Sequence, residues 1–219
     1  MTLERATGVI LRTRPLTETS LIIEWLTPEH GRLATVAKGA RRPKSPFRGS
    51  LDIFYLAEFS FQRSRSSNLH TLREVKLLDA NSGLRREMTH LEQASHCSKL
   101  IEQTTETETP LPELYEIYAA LLRELPRHPP APQTVYAFEM KLLAELGLQP
   151  NLEEKTVSPG CRQLLTRFIE LDWPRIFQLR PSPVQTAEMR RFLHGFLIYH
   201  LGKIPKGRGR ALDNGLEKS

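Results

Sequence analysis

Apolar residues in this chain change their spacing once, near Asp79-Ala80-Asn81-Ser82-Gly83, and no other feature limits the fold as much. Ahead of that point the hydrophobic runs are short, and they are either β-branched or alternating. Ala6–Thr13 carries Val9, Ile10 and Leu11 between Gly8 and Pro15. Ser20–Leu26 reads SLIIEWL and meets a hairpin turn at Thr27-Pro28-Glu29-His30-Gly31, from which Arg32–Ala37 returns. Further on, Ile53, Tyr55, Ala57, Phe59 and Phe61 alternate with Phe54, Leu56, Glu58, Ser60 and Gln62, and Leu69–Leu78 supplies a last run. Five short strands in so little chain predict a small barrel or sandwich. Closure is favoured, because an open sheet of this size would leave two edges unpaired.

Beyond residue 83 the apolar positions take helical spacing. Leu84, Met88 and Leu91 begin one helix, which continues towards Leu100 and Ile101. Leu111, Leu114, Tyr115, Tyr118, Leu121, Leu122 and Leu125 form a stripe with Pro110 and Pro112 near its start and Pro126 at its end. After the stiff Pro126–Pro132 connection, Val135, Phe138, Leu142 and Leu146 repeat the pattern and Gly147 reads as a stop. Ser158-Pro159 opens a fourth helix with Leu164, Leu165, Phe168 and Ile169, and Thr186 reads as the cap of a last one bearing Met189, Phe192, Leu193 and Phe196. These stripes read as bundle core. The run KIPKGRGRALDNGLEKS after Gly202 reads as a loosely ordered tail.

Between the third and fourth strands lies Lys38-Gly39-Ala40-Arg41-Arg42-Pro43-Lys44-Ser45-Pro46-Phe47-Arg48, with five cations in eleven residues and no acid. Residues 1–78 hold thirteen Lys and Arg against seven Asp and Glu, a net of +6 that equals the net of the whole chain. The first third therefore favours polyanions and the rest is neutral. Lys38, Arg41, Arg42, Lys44 and Arg48 are candidate phosphate contacts, with Ser45 offering a hydroxyl and Gly39 and Gly49 allowing close backbone approach. Arg12 and Arg14 extend the charge along the first strand, and Arg63 and Arg65 continue it in a polar link. Phe47 is the stacking candidate, while Tyr55, Phe59 and Phe61 are expected to face the barrel interior. In the tail, Lys206, Arg208 and Arg210 are possible auxiliary contacts. No recognition helix or zinc finger accompanies these residues, so binding is expected to be backbone-led and salt-sensitive. The same basic surface would also suit an RNA-binding or a protein-interaction module.

Catalytic patterns are not found. Gly202-Lys203-Ile204-Pro205-Lys206-Gly207 lacks the glycine spacing of a phosphate loop, and there is no dinucleotide fingerprint, HExxH or GxSxG. His90, His96 and Cys97 lie close in sequence, but His90 and His96, six apart, do not share a helix face well, and with no fourth ligand in view no metal site is expected. Glu106 and Glu108 sit in TTETET, where solvent is expected to surround them. Cys161, near a helix start, has no partner histidine and reads as structural. The chain is expected not to be an enzyme and to need no cofactor. Two cysteines, no run of the ~18 apolar residues a span requires, and no signal-peptide core predict a cytoplasmic protein without membrane contact.

Several segments together resemble the bacterial RecO recombination-mediator family. They are Gly8-Val9-Ile10-Leu11-Arg12-Thr13-Arg14, Glu18-Thr19-Ser20-Leu21-Ile22-Ile23, Leu26-Thr27-Pro28-Glu29-His30-Gly31-Arg32-Leu33 and, most specific, Val36-Ala37-Lys38-Gly39-Ala40-Arg41-Arg42-Pro43-Lys44-Ser45, followed by Leu51-Asp52-Ile53-Phe54. Phe138 to Pro150, ending LGLQP, is a weaker echo. The resemblance implies an α+β chain with a five-stranded OB-fold barrel, placed here over 1–80, and a helical domain, placed over 81–202, ahead of the flexible basic tail read over 203–219 from its composition. It implies binding of single- and double-stranded DNA, annealing of complementary strands, and assistance to RecA loading with RecR and the acidic tail of single-strand binding protein. Many relatives hold zinc with four cysteines after the LGLQP-like segment. Here Asn151-Leu152-Glu153-Glu154 has none, so no zinc is expected.

Overall fold

The computed structural model describes residues 3–152 and 157–213. The Glu153 and Glu154 positions of the expected zinc-region departure lie outside them. The described chain divides into two compact units. One runs to Ser82 and takes in Thr105–Ala119; the other comprises Gly83–Thr104 and the residues from Ala120 on. The break is therefore not a single cut near residue 80, since a later segment rejoins the first unit.

That unit is a closed barrel of β1 (Leu3–Pro15), β2 (Leu21–Thr27), β3 (Gly31–Ala37), β4 (Leu56–Gln62) and β5 (Leu69–Asp79), in the order β1-β2-β3-β5-β4. This is the OB-fold order. β3 and β5 run parallel, and all other pairs are antiparallel. The period-two pattern sends Ile10, Ile23, Trp25, Leu33, Phe59 and Phe61 inward, where Trp25 stacks on Phe59 with ring centroids 4.0 Å apart. The Trp25 indole donates to Thr35 Oγ1 at 2.8 Å, so its buried polar atom is satisfied. The alternation that begins at Ile53 in sequence becomes strand only from Leu56. Phe54 adopts φ 68° and is buried, its N–H donating to Ile10 O and its carbonyl accepting from Asn81 Nδ2, both at 2.8 Å. Those contacts hold an aromatic residue in a left-handed turn it rarely adopts.

The rejoining segment is the threonine-rich TTETET link. Thr107 bridges in parallel to Arg32, and the Arg32 guanidinium donates to Thr105 Oγ1 at 2.8 Å and Thr105 O at 2.6 Å. Gly31, at φ +63°, leaves room for it: a Cβ there would lie 1.9 Å from Thr109 O. Glu108 is not simply solvated, as the sequence suggests. Its carboxylate accepts from Arg63 Nη1 at 2.5 Å and meets His70 Nε2 at 2.9 Å.

The second unit contains α1 (Met88–Thr104), α3 (Pro132–Glu145), α4 (Pro159–Glu170), α5 (Trp173–Ile176), α6 (Pro183–Leu201) and α7 (Arg208–Leu212); α2 (Pro112–Glu124) enters it from Ala120. Ser158 caps α4, accepting from Cys161 N. The cap of α6 is Ser182, not Thr186: Ser182 accepts from Gln185 N while the Gln185 side chain returns to Ser182 N, with Pro183 in the first turn. Lys141 of α3 donates to Ile169 O at 2.9 Å and Leu171 O at 2.7 Å, satisfying carbonyls at the end of α4. Burial holds the Lys141 pKa below its ordinary value, against the pull of Asp172 and Glu145.

The expected flexible tail is, as far as Asp213, folded chain. α7 buries Ala211 and Leu212, and Gln93 of α1 donates to Ala211 O at 3.2 Å and Ala131 O at 2.9 Å. Gly207, which suggests looseness in sequence, sits in the turn before α7, and Gly209 lies within it. A short apolar face and a buried arginine outweigh them.

Candidate nucleic-acid interface

The basic stretch connects β3 to β4. It leaves the barrel at Ala37, which pairs with Leu21, and Leu21 in turn pairs with Pro15. The β1–β2 turn is thus its neighbour. Successive four-residue turns carry it forward: Arg42 N bonds Gly39 O at 3.0 Å, Ser45 N bonds Arg42 O at 3.0 Å, and Arg48 N bonds Ser45 O at 3.2 Å. Gly39 and Gly49 take φ 71° and 77°, which the turns require.

Two anchors hold it. Arg41 N donates to Thr19 O at 3.0 Å, and Arg41 Nη1 to Thr17 O at 3.2 Å, tying it to the β1–β2 turn. Phe47 is the second, 7% exposed among Ile10, Trp25, Leu33 and Phe59 of the barrel core. This corrects the reading of Phe47 as a stacking platform. A lone aromatic among solvated cations gains more from filling a hydrophobic barrel end than from standing in water. Ser45 Oγ accepts Phe47 N at 3.1 Å, so its hydroxyl helps build the turn.

With Phe47 inserted, the charges are left outside. Lys38, Arg41, Arg42, Lys44 and Arg48 are all exposed, and none has an ion-pair partner among the described residues. Arg12 and Arg14 are exposed on the outer face of β1. Arg14 lies towards the β1–β2 turn and reaches Glu24 at 3.7 Å, which partly offsets it.

Other expected cations are elsewhere. Arg63 stands at the opposite end of β1, where its guanidinium holds Glu4 at 2.7 Å and Glu108 at 2.5 Å. The Arg63 hydrogen bonds, stronger than the opposing burial, pull the Glu4 carboxyl below its ordinary value. Arg63 is therefore a structural cation. In the second unit Lys206 is exposed, and Arg210 is exposed 3.7 Å from Glu92. Arg208 is buried and chelates Glu139 through two hydrogen bonds of 2.7 and 2.8 Å, so it is not available as an auxiliary contact. His96 Nε2 also meets Glu139 Oε1, at 3.1 Å. Burial raises the Glu139 pKa, but the bonds from Arg208 and His96 prevail and its carboxyl lies below 4.5. Sequence offers no local sign of this triad.

His90 and Cys161 each have a hydrogen-bond partner in the second unit. His90 Nε2 contacts His128 O at 3.0 Å. The Cys161 thiol donates to Glu188 Oε2 at 2.9 Å, and burial, aided by that carboxylate, pushes its pKa up to about 11. That is the reverse of the lowering a helix start would give. Among the described residues no group of three or more His, Cys, Asp or Glu is arranged to hold a metal ion, and no helix is long and apolar enough to cross a membrane.

The first unit thus joins a barrel of OB order to a basic connection whose cations have no ion-pair partner among the described residues. Residues 1–81 match the family model for the recombination protein O N terminus, and residues 85–159 match that for its C terminus. The chain belongs to the RecO family. DNA repair protein RecO of Bacillus subtilis is 28% identical over 92% of this chain and 81% of its own length. The Bacillus pumilus RecO is 28% identical over 93% and 91%, and that of Anaeromyxobacter strain K 30% identical over 68% and 59%. RecO proteins are, by these names, proteins of DNA repair and recombination. The family's N-terminal match ends where the barrel does, at β5.

Proposed function

We propose that this RecO chain is a recombination mediator acting in DNA repair. It would bind single- and double-stranded DNA through the sugar–phosphate backbone, anneal complementary strands, and assist RecA loading with RecR and the acidic tail of single-strand binding protein. It turns over no substrate. The observation that carries this reading is the connection from β3 to β4, which holds Lys38, Arg41, Arg42, Lys44 and Arg48 exposed and without ion-pair partners among the described residues. Cations already fixed on a rigid base attract phosphates at small ordering cost. Their charge also lowers the repulsion between two strands brought to the same surface, which favours pairing. Nothing in the loop forms a rigid donor pattern on a helix or ribbon, so contact is tolerant of base sequence.

The test is the salt dependence of oligonucleotide binding. Five phosphate contacts give a log–log slope of about −3.5 on single strands. Arg41→Glu with Arg42→Glu weakens binding to all sequences alike and slows annealing. A slope near zero, or unchanged affinity in that variant, overturns the reading. Matched RNA oligonucleotides in the same titration separate a DNA-binding from an RNA-binding protein.

A further inference from the structure

Residues 189–212 contain no aspartate or glutamate, yet they carry Arg190, Arg191, Lys203, Lys206, Arg208 and Arg210. Folding turns this run back on itself. The chain leaves α6 at Leu201, passes through Ile204 and Pro205 and enters α7, enclosing a cleft of about 520 Å³ against α6. Arg190, Arg191 and His194 line it from α6, and Ile204, Pro205 and Leu212 from the returning segment. Arg208 also reaches it, but its guanidinium is engaged by Glu139.

The two α6 arginines are exposed and weakly neutralised. Arg190 is 3.9 Å from Asp213, itself half exposed. Glu188, the acid that senses Arg191, is already committed to the Ser158 amide and hydroxyl and to the Cys161 thiol. The cleft thus joins two cations to an apolar wall, with one loose carboxylate at its edge. A free phosphate would use the cations and leave the wall bare. A duplex keeps its bases stacked and would do the same. A single strand can set a phosphate on arginine and an unstacked base on apolar carbon together.

We propose that this cleft binds one nucleotide unit of a single DNA strand, with its phosphate on Arg190 and Arg191 and its base against Ile204 and Pro205, beneath which Leu212 is buried. The proposal rests on the DNA-binding reading above and adds a second contact surface, in the other unit. Asp213 then acts as an internal competitor for Arg190.

The experiment titrates fluorescein-labelled oligo-dT against the full chain over a range of salt. Arg190→Gln with Arg191→Gln is expected to lower the slope by about 1.4, from ~0.7 for each of two contacts, while melting as the parent does. Asp213→Asn, which creates no cavity, is expected to tighten binding. A slope and affinity equal to the parent's in the arginine variant, or weaker binding in Asp213→Asn, overturns the cleft. An equal loss on duplex DNA overturns the single-strand assignment. Loss of binding to an acidic peptide with oligo-dT unaffected identifies a protein tail as the occupant instead. Failure of the general reading is distinct, because it appears as no response to Arg41→Glu with Arg42→Glu.

Discussion

Glu139 of α3 and Arg208 of α7 lie 69 residues apart in sequence and meet as a two-pronged, buried ion pair. The pair fastens α7 to the helical unit, since a guanidinium and a carboxylate removed from water each need the other. Arg208→Ala strands Glu139 and is expected to cost about 3–5 kcal/mol, read as a lower urea midpoint. Replacing both by leucine-sized apolar residues should recover most of the loss. A midpoint unchanged in Arg208→Ala would mean that α7 is not fastened by this pair.

The same carboxylate sets an acid limit. Its folded pKa lies below the ordinary 4.5, so its contribution is fully present above that value and is lost as pH falls through the folded pKa. Stability of the helical unit should therefore fall with acid below about pH 4.5, and less steeply in Glu139→Gln. Identical acid profiles for parent and variant would exclude Glu139 as the source.

Phe47→Ala separates core from stacking. As a barrel residue, it is expected to cost about 3–5 kcal/mol of unfolding free energy. A surface stacking residue would instead leave the urea midpoint unchanged and reduce affinity alone.

Gly31→Ala places a methyl group against Thr109 in a left-handed turn. The strained turn alone costs about 1–3 kcal/mol, and the displaced segment adds to it. Thr105–Thr109 should gain hydrogen exchange in this variant before the barrel strands do. Exchange as slow as the parent's would sever the link between that glycine and the segment.

Cys161, its thiol pushed up to about 11, should resist alkylation at pH 8 in the folded chain and react on unfolding. The neutral thiol is favoured by folding, so this contribution is complete below its ordinary value of 9.0 and is lost as pH rises through about 11. Rapid labelling of native Cys161 would contradict the Glu188 contact.

The strands and their closure are legible because inward side chains recur every second residue, as Ala57, Phe59 and Phe61 do, and the TPEHG turn marks a hairpin. The exposed charge of Lys38–Arg48 is legible for the same reason that Phe47 is not: five cations declare a solvated segment, whereas one aromatic has no period to reveal its direction. Ser182-Pro183-Val184-Gln185 carries a readable capping box, and it outcompetes Thr186 because Pro183 already suits the first turn. Glu108 and Arg208 are hidden by distance along the chain. Their partners, Arg63 and His70 for Glu108 and Glu139 for Arg208, come from other elements, and polarity alone makes both look solvated.

Pinning the β3–β4 connection at Ala37, Arg41 and Phe47 has a kinetic corollary. With the segment anchored by these contacts, the proposed function predicts that the dwell time of a bound strand follows ionic strength rather than closure of the loop. On the proposed DNA-binding function, a contact made through exposed cations alone would let strands be tried, slid past one another and released.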